Sequence, residues 1–174
     1  MRPSTITASA AGTPINCVAG NEVITMSQND LDGIIAAYDE ALQSFVRGDP
    51  SPVADLYSRR DDVTLANPLG PPQRGRASVE QAIAAAAANF RGGAVHADEV
   101  SRYSTPDVGY VVRMERYDVR LAGSEDTARI VLRATMIFRR EGSDWRIVHR
   151  HADPITTVRS LTTMLSDVPS RGQP

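Results

Sequence analysis

The sequence predicts an α+β fold in which a curved antiparallel sheet and about three N-terminal helices form a cone around an internal cavity. Three observations predict it. Strong helical periodicity is confined to roughly the first 90 residues. Four long segments of strand character follow, separated by hairpin turns. Two of those segments, 108–121 and 127–140, run about 12–14 residues against a usual strand of about 5–6. Strands that long twist and curl, and a curled sheet with helices across its mouth encloses a hollow.

Residues 1–25 are rich in Ser, Thr, Ala, Gly and Pro without a sustained period, which predicts a disordered leader. The folded domain is expected over 26–154, with a tail over 155–174. Asn29 or Asp30 caps a first helix whose Leu31, Ile34, Ile35, Tyr38, Leu42, Phe45 and Val46 share one face. Gly48 ends it. A short second helix over 51–58 groups Val53, Leu56 and Tyr57. Val63 to Asn67 reads as a strand, stopped by the corner Pro68-Leu69-Gly70-Pro71-Pro72.

Ser78 and Gln81 form a capping box that opens an alanine-rich helix to about Phe90. Gly92-Gly93 separates it from β segments at 94–104, 108–121, 127–140 and 144–153. Pro106-Asp107, Gly123-Ser124 and Gly142-Ser143 supply the turns. In the tail, Ile155, Val158, Leu161 and Leu165 suggest one weak helical face, and the chain contains no internal repeat.

Composition narrows the chemistry. A 174-residue chain that is 41% apolar and 23% charged has the size and balance of one globular domain. A net charge of -2 without a basic block argues against nucleic acid or an anionic membrane as the partner. All 19 basic residues are arginine, a usage expected of a GC-rich bacterial genome. Schiff-base and P-loop lysine chemistry are therefore excluded. The lone Cys17 permits no internal disulfide, and its leader position argues against a thiol nucleophile. No apolar run approaches a membrane span and no signal-peptide pattern opens the chain, so a cytoplasmic location is expected.

The closing segment Trp145-Arg146-Ile147-Val148-His149-Arg150-His151-Ala152-Asp153 resembles the last strand of SnoaL-like domains and of the related calcium/calmodulin-dependent kinase association domain. Arg47-Gly48-Asp49 and Arg74-Gly75-Arg76 fit the same nuclear-transport-factor-2-like superfamily, and the resemblance covers about 30–153. It implies the cone fold, a small-molecule cavity, and a homodimer paired through the exposed sheet face. It implies little about activity, because this fold hosts isomerases, dehydratases, cyclases, hydrolases and non-catalytic modules. Val63 to Pro72, with Gly75-Arg76, also resembles the ketosteroid isomerase segment that carries the general-base aspartate. Asn67 stands at that position, and an amide accepts no proton at neutral pH.

His149, His151 and Asp153 alternate along one strand, about 6.6–6.8 Å apart per step. They suit a structural hydrogen-bonded pair, a proton shuttle with His149 and His151 as catalytic residues, or, as a further alternative, a metal site. No metal or other cofactor is assigned. The opposite face holds Val148, Arg150 and Ala152, and alternation alone does not say which face lines the hollow. The kinase-association resemblance implies that Arg150 and Arg113 point inward.

On segment 127–140 the mixed row, with Arg133 between Val131 and Thr135, reads as a cavity wall carrying one cation. Arg113, Arg133 and Arg150 are then candidates for binding an anion, because a planar guanidinium holds both oxygens of a carboxylate. Surface pairing with Glu115 or Asp118 is the competing fate. Tyr38 and Tyr57 are candidate hydrogen-bond donors, and a buried Glu115 would have a raised pKa and could act as a base.

Two functions remain open. One is a small-molecule cavity, for an acidic or carbonyl-bearing compound, with cofactor-independent acid–base chemistry of the isomerase, cyclase, dehydratase or hydrolase kind. The other is a non-catalytic dimerising or ligand-sensing module whose histidines are structural.

Overall fold

The computed structural model describes the backbone of residues 26–166 and the side-chain environment of residues 31–163. The readings of 1–25, of Cys17 and of the Leu165 side chain fall outside them. Within the described range the order is α1 (Met26–Phe45), α2 (Ser51–Asp55), β1 (Thr64–Ala66), β2 (Gln73–Arg74) and α3 (Arg76–Ala87). Then come β3 (Phe90–Ser104), β4 (Val108–Leu121), β5 (Thr127–Glu141), β6 (Asp144–Asp153) and α4 (Leu161–Ser166). Helices precede a meander of four long strands, as the periodicity predicts.

The six strands form one open sheet in the order β2-β1-β6-β5-β4-β3. Every neighbouring pair is antiparallel except β1 and β6, which run parallel with Leu65 opposite Arg150. The expected antiparallel sheet is therefore mixed. The meander leaves β6 with a free edge, and β1, arriving from α2, fills it in the same direction.

Helices α1 and α3 cover the inner face. Leu31, Tyr38 and Leu42 of α1 and Val79 and Ile83 of α3 are buried with Val111, Leu132, Met136, Phe138 and Ile147 of the sheet. Each such aliphatic or aromatic side chain contributes roughly 1.5–3 kcal/mol when fully buried. On β5 the inward row is Leu132, Ala134, Met136 and Phe138, so the wholly apolar row faces the helices and the mixed row faces out. That reverses the sequence assignment. An inner wall shared with two helices has more apolar surface to satisfy than the single cation suggested.

Several boundaries differ from expectation. The chain is already helical at Met26, where the described residues begin, a turn before Asn29 and Asp30; polar residues cost a helix only about 0.5 kcal/mol each, so a helix passes through them. It stops as predicted before Gly48, whose φ of 94° is left-handed. The short second helix ends at Asp55 rather than 58.

Helix α3 begins at Arg76 behind Gly75, and its N-cap makes no side-chain hydrogen bond, so Ser78 is inside the first turn and no capping box forms. The Arg76 guanidinium instead donates to the carbonyls of Ala54, at 3.0 Å, and Tyr57, at 3.1 Å, tying α3 to the end of α2. Among the described tail residues the helix is confined to Leu161–Ser166; Val158 and Leu161 are exposed and form no packed face with Ile155.

Gly92-Gly93 does not separate α3 from the sheet but lies within β3, where the pairing with β4 shifts register. At Gly93 φ is 130°, and a Cβ atom would sit 2.2 Å from the Asp118 carbonyl oxygen. Only glycine lets the two backbones approach this closely. Further shifts occur at Glu99/Ser101 in β3 and opposite Ile137/Phe138 in β6. Bulges of this kind bend strands and increase their twist. Gly93→Ala is expected to lower stability by about 2 kcal/mol or more; a urea midpoint equal to that of the parent protein would contradict the close approach.

Candidate functional site

The inner wall of the sheet carries an ionic cluster among its apolar rows. Arg113 and Glu115 alternate inward from β4 and Arg150 projects inward from β6, all three buried. β5 lies between β4 and β6, and there Ala134 stands opposite both Arg113 and Ala152. This small side chain leaves room for long side chains to meet across it.

Glu115 is the hub. Its Oε1 accepts from Arg113 Nε at 2.9 Å, and its Oε2 accepts from Arg150 Nη2 at 2.6 Å and the Tyr117 hydroxyl at 2.7 Å. Arg113 also donates through Nη1 to Asp39 of α1 at 2.7 Å, and its guanidinium lies 5.0 Å from the centre of the Tyr38 ring. Arg150 Nη1 donates to Asn67 Oδ1 at 2.6 Å. Two buried cations therefore share one fully buried carboxylate, while the balancing Asp39 stands 46% exposed at the rim.

The electrostatics follow from this arrangement. Burial by itself pushes the Glu115 pKa up, but the Arg150 and Arg113 charges outweigh it and hold the group below the usual glutamate range. Glu115 is thus an ionised structural anion, not the raised-pKa base that burial alone predicted. Burial opposes the charge on Arg150, but Glu115 and the neighbouring Tyr38, Tyr117 and Tyr57 together hold its pKa well above the ordinary arginine value. Burial raises the pKa values of Tyr38, Tyr57 and Tyr117, keeping all three hydroxyls protonated.

A cavity of about 110 Å³ opens beside the cluster. Its walls are largely apolar, with Leu42, Phe45, Ile83 and Leu132 prominent, and its polar groups come from Tyr38, Tyr57, Asn67, Tyr117 and Arg150. Of the sequence candidates, Tyr38, Tyr57, Asn67 and Arg150 line it. Arg113 and Glu115 are not on its wall; Glu115 holds Arg150, and Arg113 holds Glu115. Tyr117 had no place among the candidates. Its signal was its position two residues after Glu115, on the same face of β4.

Arg133 is on the other side of the sheet, 53% exposed and bonded through Nε to both oxygens of Asp153 at 2.8 and 2.9 Å. It is no part of the cavity wall, because β5 turns its apolar row inward.

His149 and His151 also face outward. Trp145 and Ile147 are buried on the inner side, and unbroken alternation would place both histidines there with them. The extra residue at Val148, where Ile147 pairs with Phe138 but His149 with Ile137, reverses the phase and brings Arg150 in. His149 Nδ1 then lies 2.8 Å from Thr64 Oγ1 on β1, and His151 stands 3.8 Å from Asp153. A histidine shuttle for a molecule in the cavity is therefore on the wrong face. Among the described residues no three His, Cys, Asp or Glu side chains converge to hold a metal ion.

This architecture has known counterparts. The family model of the SnoaL-like domain matches residues 34–156, and the chain belongs to that family. No curated protein matches the sequence significantly. Among solved structures, a protein of the NTF2-like family from Streptomyces avermitilis, provisionally named a dehydratase, superimposes with a TM-score of 0.64 at 21% identity. That match covers 75% of this chain and 98% of the other.

A ketosteroid isomerase-like protein from Erwinia carotovora atroseptica gives a TM-score of 0.64 at 15% identity, over 76% of this chain and 99% of the other. A protein from Thiobacillus denitrificans, provisionally named a calcium/calmodulin-dependent protein kinase type II association domain, gives 0.60 at 24% identity, over 71% and 93%. At these identities the likeness establishes the fold. No helix among the described residues is long and apolar enough to cross a membrane.

Two measurements test the electrostatics. Glu115→Gln leaves two buried guanidinium groups without their shared anion and is expected to cost about 3–5 kcal/mol, whereas Asp39→Asn at the open rim is expected to cost less than about 1 kcal/mol. Equal urea midpoints for the two variants at pH 7 would contradict the hub assignment.

The second test concerns His149, whose pKa lies below the ordinary 6.5 because burial, then His151, disfavours the charged ring. Its contribution to stability is complete above 6.5 and is lost as pH falls through the lower folded value. His149→Gln is therefore expected to flatten the decline in unfolding free energy as pH falls below about 6.5.

Proposed function

We propose that the cavity binds a small, largely apolar organic molecule through a carboxylate or carbonyl oxygen, with Arg150 as the anchor and Asn67 beside it. The observation that carries this reading is the 2.6 Å contact from Arg150 Nη1 to Asn67 Oδ1. Arginine only donates, so this contact assigns the amide oxygen to Arg150 and leaves the Asn67 NH2 as a donor.

The Tyr38 and Tyr57 hydroxyls, kept protonated by burial, can also donate. The polar groups of the wall thus favour a ligand that accepts. Arg150 is already oriented by Glu115, and its Nε has no hydrogen-bond partner among the described residues. An acceptor beside it would relieve the excess of buried positive charge.

The same constellation favours binding over base catalysis. Among the described lining residues none is a carboxylate or histidine, and Asn67 replaces the aspartate expected from the isomerase resemblance. Any turnover here would begin from acid assistance by Tyr38 or Tyr57, for which neighbours provisionally named dehydratases offer a precedent of fold alone.

A homodimer is part of this reading. Tyr110, Val112, Met114 and Ile137 lie together on the outer face of the sheet and are only partly covered, which suits a second copy; mass in solution checks it.

The test is thermal unfolding of the full chain against carboxylates and neutral carbonyl compounds matched in size. A ligand at 100 times its Kd adds about 2.7 kcal/mol, a rise of roughly 5–10 °C in Tm. Asn67→Asp replaces a donor with an anion that pairs with Arg150, and carboxylate affinity is expected to fall at least ~tenfold. Absence of any shift in the parent protein, or undiminished carboxylate binding by Asn67→Asp, would overturn the reading.

A further inference from the structure

A second cavity of about 430 Å³ adjoins the first. Leu65, Asn67, Leu69 and Ala86 line both, so they form the shared threshold. The inner chamber of about 110 Å³ is smaller than an apolar cavity of ~150 Å³ known to hold benzene. It is also below the roughly 300–1,000 Å³ typical of small-molecule sites. The two chambers together fall within that range.

The outer chamber differs in chemistry from the inner one. Ala82 and Ala85 of α3 form one side, and their short side chains keep the space open. Gln73 and Asn89 supply its amides. Gln73 Nε2 donates to the Pro71 carbonyl at 3.0 Å, and Asn89 Nδ2 donates to the carbonyls of Ala85 at 2.9 Å and Ala86 at 3.2 Å. The Asn89 NH2 is thereby committed to backbone and the Gln73 NH2 keeps one N–H, while both amide oxygens remain as acceptors. The inner chamber offers mainly donors; the outer one adds two amide oxygens as acceptors.

We propose that the ligand is bipartite: an acidic or carbonyl head on Arg150, and a hydroxyl-bearing tail that crosses the threshold at Asn67 and Leu69 toward Gln73 and Asn89. This rests on the binding reading above and extends it to the shape and polarity of the molecule. It also gives the run of alanines in α3 a purpose beyond helix propensity, since a larger side chain at Ala85 would fill the tail site.

The experiment uses calorimetric titration of the full chain with butanoate, octanoate and 8-hydroxyoctanoate. Octanoate is expected to bind at least ~tenfold tighter than butanoate, because its extra methylenes leave water for the outer chamber. The terminal hydroxyl is expected to tighten binding several-fold more. Ala85→Phe, which blocks the outer chamber alone, should remove both gains and leave butanoate affinity unchanged. Gln73→Leu should remove only the hydroxyl gain, which guards against misfolding of the first variant.

Affinity that stops rising after butanoate, or gains that survive Ala85→Phe, would overturn the bipartite ligand while leaving the Arg150 anchor standing. Failure of all three carboxylates to bind would instead overturn the anchor, and the tail with it.

Discussion

The inner wall of this domain depends on one buried carboxylate. Glu115 has no exposure to water, and it persists as an anion only because Arg113, Arg150 and Tyr117 all donate to it. The cluster spans β4 and β6 across the intervening β5, so these strands cannot shift register without unpairing a buried charge. Clusters of this kind are poor sources of net stability, since hydrocarbon of equal volume often does as well or better. What the cluster achieves is orientation. A flexible arginine is held in one position on a cavity wall, with its hydrogen-bond capacity only partly used.

That orientation gives the site its character. Asn67 occupies the place where the isomerase resemblance calls for a proton-accepting aspartate, and its amide oxygen faces Arg150. An aspartate in that position would pair with Arg150 and have its basicity lowered. The amide avoids that neutralisation and leaves the guanidinium available. Shared architecture with proteins named for dehydration or isomerisation therefore says little about reaction type here, because function in this fold resides in the few polar groups on the cavity wall.

The sequence was legible wherever local periodicity and global packing agree. Leu31 to Val46 reads as a helix because its apolar spacing matches the helical turn, and 108–121 with 127–140 reads as a hairpin because long alternating runs flank a glycine turn. Boundaries were less legible. Ser78 looked like a cap, yet Gly75 starts the helix earlier. Gly92-Gly93 looked like a break, yet it lets the edge strand bend inside the sheet. In each case the deciding contact comes from a residue distant in sequence, such as Asp118 against Gly93.

The sequence by itself determined the α+β class, the order of the elements and the presence of Arg150 and two histidines on opposite faces of the last strand. These follow from side-chain periods that every local window carries. Which face turns inward was decided only in the tertiary structure. One extra residue at Val148 shifts the pairing of β6 with β5, so Ile147 and Arg150 both reach the interior while His149 and His151 turn out. A bulge leaves no mark in a run of β-forming residues, because it exists only as a mismatch in count between two paired strands.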